Sequence, residues 1–366
     1  MSHLPRIAGM VLAVLLLALP GAGIKAQGVT QGGALPGPLP ILPANNWWNL
    51  DISAAPVDPA STTTINWISA TRALHPDFGG DEEPGNPSNP AIYGFPYCVV
   101  PGTTPLEPIT FMEYGSQSDA GAPNRPAGYP IPVAARSGTK WIEGGQIATT
   151  PIGGADRHML IIDRDNRLLF ELYHTHWNST LSRWEAGSAA AWPLDTNHRR
   201  PDTWTSADAA GLAIFPGLVR YDEVLSATAA VGAVPIRHAF RMTTRATNGR
   251  VWPASHTAGS TTNAPPMGAR FRLKASKNIS AVTPQARVMF QAMKTYGLIV
   301  ADNGSDFYIQ GTYDTRWDNG VLNPAFAALR ASDFEMVQLG FGAPAAEVAE
   351  WRNHAAPRKS GELASW

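Results

Sequence analysis

The stretch Asp156 to Trp177, DRHMLIIDRDNRLLFELYHTHW, decides the fold class. Apolar residues crowd Asp156–Asp163, the polar Arg164-Asp165-Asn166 interrupts them, and Arg167–Trp177 resumes the pattern. That is two β-strands joined by a polar turn. Side chains alternate along a strand, so Asp156, His158, Leu160 and Ile162 are expected to point one way on the first strand. On the second, Glu171, Tyr173 and Thr175 share one face, and Leu172, His174 and His176 the other. Outward from this hairpin, further strands are expected at Leu218–Tyr221, Ile236–Thr243, Ala269–Lys274, Leu298–Ala301 and Phe307–Gln310, each bounded by turn residues. Short strands at such spacing point to a mostly β protein, a β-sandwich or jelly-roll-like fold with a few peripheral helices.

Composition agrees. With 34 Gly and 32 Pro in 366 residues a helical bundle is excluded, and 44% hydrophobic residues with 12 Trp, 12 Phe and 9 Tyr exclude wholesale disorder. Asp58 with Pro59 is expected to start a helix that ends before Leu74. The clearest helix is capped by Thr283, opened by Pro284, striped by Val288, Met289, Ala292, Met293 and Tyr296, and stopped by Gly297. A shorter one is expected from Pro324 to Arg330, and residues 77–138 read as a loop-rich stretch with short strands.

Residues 1–26 carry His3 and Arg6 ahead of an apolar run from Ile7 to Leu19, then Pro20-Gly21-Ala22, the pattern of a signal peptide cut after Ala26. Secretion, periplasmic or extracellular, is the expected localisation. No later stretch approaches ~18 uninterrupted apolar residues, so no membrane partner is expected after cleavage. Residues 27–44 read as an extended leader, 45–338 as one sandwich-type domain, and 339–366 as a tail or short helix. Losing 1–26 removes Arg6 and Lys25 and no acid, so a chain of formal net charge −1 becomes more acidic still. With no run of basic residues beyond Arg199-Arg200, nucleic acid is not an expected partner. Cys98 is the only cysteine, in the apolar run Tyr97-Cys98-Val99-Val100, and reads as a buried thiol. No fixed-period repeat, Walker loop, Gly-x-Ser-x-Gly elbow or His-Glu-x-x-His is present.

The polar chemistry lies in three regions. Asp156, His158 and Glu171 stand on strands otherwise built of Leu and Ile, and two explanations stay open. Asp156 and Asp163 close turns while Glu171 pairs with Arg157 or Arg167, or the polar strand ends line a substrate cleft. His174-Thr175-His176 could grip a divalent metal, although the cupin spacing is not met because the next acid is Glu185; otherwise no cofactor is expected. The second region, 200–223, offers Trp204, Asp208, Arg220 and Asp222 on a long connection, where binding groups usually reside. Ser206 and Asp208 equally suit a structural helical turn. The third offers His238, Arg241, Trp252 and His256, with a satisfied core histidine the commoner role for His238. Five Trp (Trp177, Trp184, Trp192, Trp204, Trp252) fall among these segments, and indoles stack on the C–H faces of sugars. They also fill sandwich cores.

The runs Asp156-Arg157-His158, 204–212, 216–223, Pro265-Pro266-Met267-Gly268 and Ala301-Asp302-Asn303-Gly304-Ser305 together resemble a group of uncharacterised secreted proteins of soil and environmental bacteria. The resemblance covers most of residues 45–338 and implies an exported, single-architecture protein. It carries over no activity and no catalytic residue.

The site residues themselves point to a secreted carbohydrate-active enzyme acting on a polysaccharide or oligosaccharide. A glycoside hydrolase would use two acids drawn from Asp156, Glu171, Asp208 and Asp222. A separation of about 5–5.5 Å suits retention and about 6.5–9.5 Å inversion. Two alternatives remain. One is a polysaccharide lyase with His158, His238 or Tyr173 as base or acid and Arg220 or Arg241 neutralising a uronate. The other is a non-catalytic glycan-binding protein using Trp204, Trp252 and their neighbours. The cleft expectation is geometric: Asp156, His158 and Glu171 should meet Arg220, His238 and His256.

Overall fold

The structure, a computed structural model, describes residues 28–119, 126–151, 153–224 and 236–344. The expected signal peptide, and the expected tail from residue 345 onward, lie outside the described residues.

The protein is mostly β, with three stacked sheets in a sandwich-like arrangement. The middle layer has the order β1-β3-β5-β6-β9, from Thr30–Gln31 (β1), Tyr97–Val100 (β3), Met159–Asp163 (β5), Leu168–Tyr173 (β6) and Ser188–Pro193 (β9). The large outer layer has the order β14-β11-β12-β10-β13-β2, from Phe334–Met336 (β14), Arg270–Leu273 (β11), Leu298–Asn303 (β12), Phe240–Thr244 (β10), Tyr308–Gln310 (β13) and His75–Asp77 (β2). The small outer layer is β4-β8-β7, from Ile109–Phe111 (β4), Arg183–Ala186 (β8) and His176–Asn178 (β7). The sheets are mixed: β3 runs parallel to β5, and β10 to β12.

Strand alternation builds both interfaces. One face of the β5–β6–β9 ribbon, with Leu160, Ile162, Leu169, Ala190 and Trp192, joins a buried apolar cluster with Phe240, Met242, Leu298 and Ile309 of the large layer. The opposite face, with Met159, Ile161, Phe170, Leu172 and Ala189, joins a second cluster with Trp184 and Ala186 of the small layer. Cys98 lies in that second core, and burial pushes its thiol pKa far up, as expected of an inert thiol. Helices Pro284–Thr295 and Asn319–Ala327 meet through Phe290 and Phe326, whose ring centroids are 5.1 Å apart, and lie against β11 and β2. The first begins as its sequence dictates, with Thr283 Oγ1 accepting the Ala286 amide and Pro284 in the first turn. Among the described residues no helix is long and apolar enough to cross a membrane.

Several expected elements take a different form. Arg157 (φ 49°) and His174 (φ 51°) adopt left-handed backbone, so β5 starts only at Met159 and the Arg167–Trp177 strand breaks into β6 and β7, which belong to different sheets. Leu218–Tyr221 is not a strand. Phe215–Gly217 forms a 3₁₀ turn, Val219 bridges only to Gly311, and residues 221–224 take up helical backbone. The helix near Asp58 begins at Ser61, with the Asp58 carboxylate taking the Ala60 amide. The segment read as a leader is joined to the domain: β1 pairs with β3, and Ile41 and Leu42 are buried.

Candidate functional site

At one end of the two main sheets, the entry of β5 and exit of β6 come close to β10, the exit of β12 and the exit of β2. His158 stands just before β5 and is 2% exposed. Its Nδ1 lies 2.6 Å from Glu143 Oε2, and its Nε2 lies 2.8 Å from the Ala207 carbonyl. Both partners are acceptors, so both ring nitrogens donate and the ring is an imidazolium. Burial opposes that charge, but the Glu143 carboxylate outweighs it and holds the His158 pKa at about 9. Reciprocally, burial alone would raise the Glu143 pKa, yet the His158 charge and hydrogen bonds hold it below the usual carboxylate range. The backbone amide of His158 also donates to Glu143 Oε2 (3.3 Å), so both contacts with Glu143 use that oxygen, and the Glu143 side chain stays 28% exposed.

The second half of the site is built around Arg241 on β10. Its guanidinium grips Asp208 from Nε (3.2 Å) and Nη2 (2.8 Å), and Nη2 also reaches Asp302 at 2.6 Å. Asp208 is sealed, whereas Asp302 on β12 keeps 20% of its side chain exposed. A bulge between Met242 and Thr243 in the β10–β12 pairing re-registers the strands beside Asp302. Two carboxylates face one guanidinium, and burial raises the pKa of both, that of Asp302 to about 7. With Glu143, His158 and Arg241 all ionised, one proton shared by the two aspartates makes the network neutral. The proton belongs to the pair: Asp208 takes two hydrogen bonds from Arg241, and Asp302 takes one from Arg241 and one from the Asn303 amide (2.8 Å), but only Asp302 keeps part of its side chain exposed.

Phe95 packs between the halves. Its ring centroid is 5.3 Å from that of His158, and the Arg241 guanidinium lies 5.6 Å from it. Asp77 on β2 is hydrogen-bonded by Gln310 and feels Glu143 and Arg241, its pKa raised by burial. Asp156 is exposed at the rim, within electrostatic reach of His158, Tyr173 and Asp302. Tyr173, half-buried, stacks on His174 with centroids 4.0 Å apart, and His174 Nδ1 bonds Glu113. His256 Nδ1 donates to the Ala209 carbonyl, in the loop that carries Asp208.

Of the six residues expected to converge, Asp156 lies beside His158, His256 reaches only the Ala209 carbonyl of the loop that carries Asp208, and Glu171, Arg220 and His238 lie elsewhere. Asp208, Tyr173 and Arg241, outside that expected set, come close to His158 instead. Glu171 does not join this group. It is 0% exposed and accepts Trp192 Nε1 (3.0 Å) and the amides of Ile214 (2.9 Å) and Phe215 (2.8 Å). Its strand face points into the core between the sheets, so it pins the 214–217 turn, and it pairs with neither Arg157 nor Arg167. Arg220 and His238 form a separate centre: Arg220 binds Glu223, and His238 Nε2 lies 3.1 Å from the same carboxylate. Beside them lies a cavity of about 530 Å³ lined by Leu35, Tyr97, Glu223 and Arg237 among others. Asp222 pairs with Arg316. Trp204 lies under the Arg200 guanidinium, and Trp252 meets Trp47 edge-on.

The metal expectation for His174 and His176 is also corrected. The left-handed turn at His174 sends His176 into the small sheet opposite Glu185, so the two imidazoles do not share a strand face. Among the described residues no group of three or more His, Cys, Asp or Glu is placed to hold a metal ion.

Glu143, Asp302 and Asp77 were missed. Asp302 had a usable signal, an acid closing the apolar run Leu298–Ala301 just before Asn303-Gly304, at a strand end where site groups gather. Asp77 precedes Phe78-Gly79-Gly80 in the same way. Glu143 had none: it lies in a loop before Gly144-Gly145, and only its tertiary contact with His158 marks it.

Comparison of the chain with protein-family models, with curated proteins and with solved structures gives no match.

Proposed function

We propose that this protein is an exported glycoside hydrolase with Asp302 as proton donor and Glu143 as the ionised partner. One observation carries the proposal: two partly exposed carboxyl groups, Glu143 and Asp302, both lie within electrostatic reach of the buried Arg241, in surroundings that push their ionisation in opposite directions. Asp302 is raised to about 7 by burial, and Glu143 is held low by His158. That division between a protonated and an ionised carboxyl is what acid–base cleavage of a glycosidic bond requires. Asp302 gives its proton to the departing glycosidic oxygen as the bond to the anomeric carbon breaks. Glu143, through the Oε1 that His158 leaves free, takes a proton from water, whose hydroxyl forms the new bond. Trp177 and Trp184 pack on each other with centroids 5.3 Å apart, and the sugar-stacking role assigned to the Trp residues finds no support at this cleft.

None of the three residues named as lyase base or acid is available for that role. His158 and His238 have both ring nitrogens engaged, and burial drives the Tyr173 hydroxyl pKa up. The test is reducing-end release from a polysaccharide panel by the purified mature chain, with Asp302→Asn and Glu143→Gln assayed beside it and their folding checked by circular dichroism. Each variant should fold and lose about 10²–10⁴-fold in rate, the usual contribution of one acid or base. Full activity in both would refute the assignment. Retention of a polysaccharide without release would make the protein a glycan-binding module, and unsaturated ultraviolet-absorbing products would make it a lyase.

A further inference from the structure

The cavity of about 530 Å³ beside Arg220 and Glu223 has no part in the hydrolase chemistry, since neither Asp302 nor Glu143 lines it. Its volume falls in the range of about 300–1,000 Å³ that small-molecule sites occupy. Two distant segments build it. Thr30 and Gln31 pair with β3, and the Tyr97 hydroxyl donates to the Gly33 carbonyl at 2.9 Å, so the stretch from Gly33 to Pro40 is held against the domain and faces Ile236 and Arg237 across the cavity. Leu35, Leu39, Pro40 and Ile236 make its walls apolar.

Four charged side chains line the same space: Arg220, Asp222, Glu223 and Arg237. Glu223 is spent, because Arg220 binds its Oε1 and His238 Nε2 lies 3.1 Å from its Oε2. Asp222 pairs with Arg316 at 2.8 Å. Arg237 is exposed and has no hydrogen-bond or ion-pair partner among the described residues, so it is the lining cation left without a counter-charge. Arg220 gives a second, independent sign. It is only 6% exposed, yet Nη2 alone of its guanidinium nitrogens meets an acceptor, and Nε and Nη1 have none among the described residues. A buried guanidinium with unfilled donors at a cavity wall calls for an acceptor from inside it.

We infer that this cavity binds a small monocarboxylate with an apolar body. The carboxylate meets Arg237 and the unfilled donors of Arg220, and the body lies against Leu35, Leu39, Pro40 and Ile236. A guanidinium fork matches a carboxylate in shape as well as charge. One uncompensated positive charge fits one negative charge, whereas a dianion would set its second charge against Glu223 and Asp222.

Octanoate, 1-octanol and octylammonium share one chain and differ in the head group, so the mature protein should be titrated with each by isothermal titration calorimetry. Octanoate should bind once per chain and about tenfold tighter than 1-octanol, with octylammonium the weakest. Arg237→Gln should weaken octanoate by about fivefold, the worth of one partly solvated charge pair, and leave 1-octanol unchanged. Leu39→Asn, at a position 55% exposed that the fold tolerates, should weaken both by about threefold through lost apolar contact. Equal affinity for octanoate and 1-octanol, or unchanged octanoate binding in Arg237→Gln, would overturn the carboxylate assignment. Binding of none of the three, or octanoate binding untouched by Leu39→Asn, would overturn the site itself. Reducing-end release by the same samples reports separately on Asp302 and Glu143, so either proposal can fail while the other stands.

Discussion

His158 shows how a residue typical of acid–base catalysis can serve by holding another. Both its ring nitrogens are spent on Glu143 and Ala207, so it cannot reach a substrate proton, but its charge keeps Glu143 ionised. The direction of the shift sets the pH dependence. Its folded pKa of about 9 lies above the ordinary 6.5, so its contribution to stability is complete below pH 6.5 and is lost as the pH rises through about 9. His158→Asn should therefore destabilise the protein by on the order of 3 kcal/mol at pH 6, a gap that narrows steadily toward pH 9. Paired thermal melts across that range are the check, and a gap independent of pH would show that the ring is held for its shape alone. His158 was legible in the sequence as a polar residue at a strand entry. Its partner was not, because Glu143 lies fifteen positions earlier in the chain and only the closed fold brings the two to 2.6 Å.

Among the elements, the β6 strand and the 214–217 turn form one unit through Glu171. The hairpin that positions Glu171 was readable from alternation alone, and so was the face it shares with Tyr173. What alternation does not report is depth. Tyr173 stands half-buried at the end of β6 beside His158, while two residues earlier Glu171 is sealed between sheets, where the Trp192 indole and two backbone amides serve its carboxylate. Truncation strands all three donors in a dry interior, each unmet donor costing about 1–3 kcal/mol before relaxation. Glu171→Ala should lower stability by about 3 kcal/mol or more. Since Glu171 touches no substrate, activity per folded molecule should stay within about threefold of wild type at a temperature well below the melt. A drop of a hundredfold or more in a demonstrably folded sample would return Glu171 to the catalytic set. The same strand shows a second limit of pattern reading, since one left-handed residue, His174, carries the chain out of the middle sheet, and His176 pairs in the small one.

Across the whole molecule, the proposed acid and base come from different parts of the fold, Asp302 from the large outer sheet and Glu143 from a loop tied to the middle one. Their opposed pKa shifts therefore predict a bell-shaped rate profile. Activity should fall as the pH rises through about 7, where Asp302 loses its proton. It should also fall at low pH, where Glu143 gains one, at a value below the usual carboxylate range. The optimum then lies in mildly acid solution. In Asp302→Asn the alkaline limb should vanish from whatever activity remains. A rate still rising between pH 7 and 9 would not fit Asp302 as the donor.

The layered β class, the central hairpin, the capped helix at 284–295, the buried single thiol and several of the polar residues around His158 and Arg241 could all be read from the linear chain. These depend on local periodicity, turn chemistry and composition, which a sequence displays directly. Which polar residues share a space was settled by the packing of the sheets. It joined Glu143 to His158 and Asp208 to Asp302 through Arg241, and it set Arg220 and His238 apart with Glu223. Such pairings depend on which strand ends and loops three sheets bring within a few ångströms, and on how much water they leave around each carboxyl. Neither quantity is a property of a residue's neighbours along the chain.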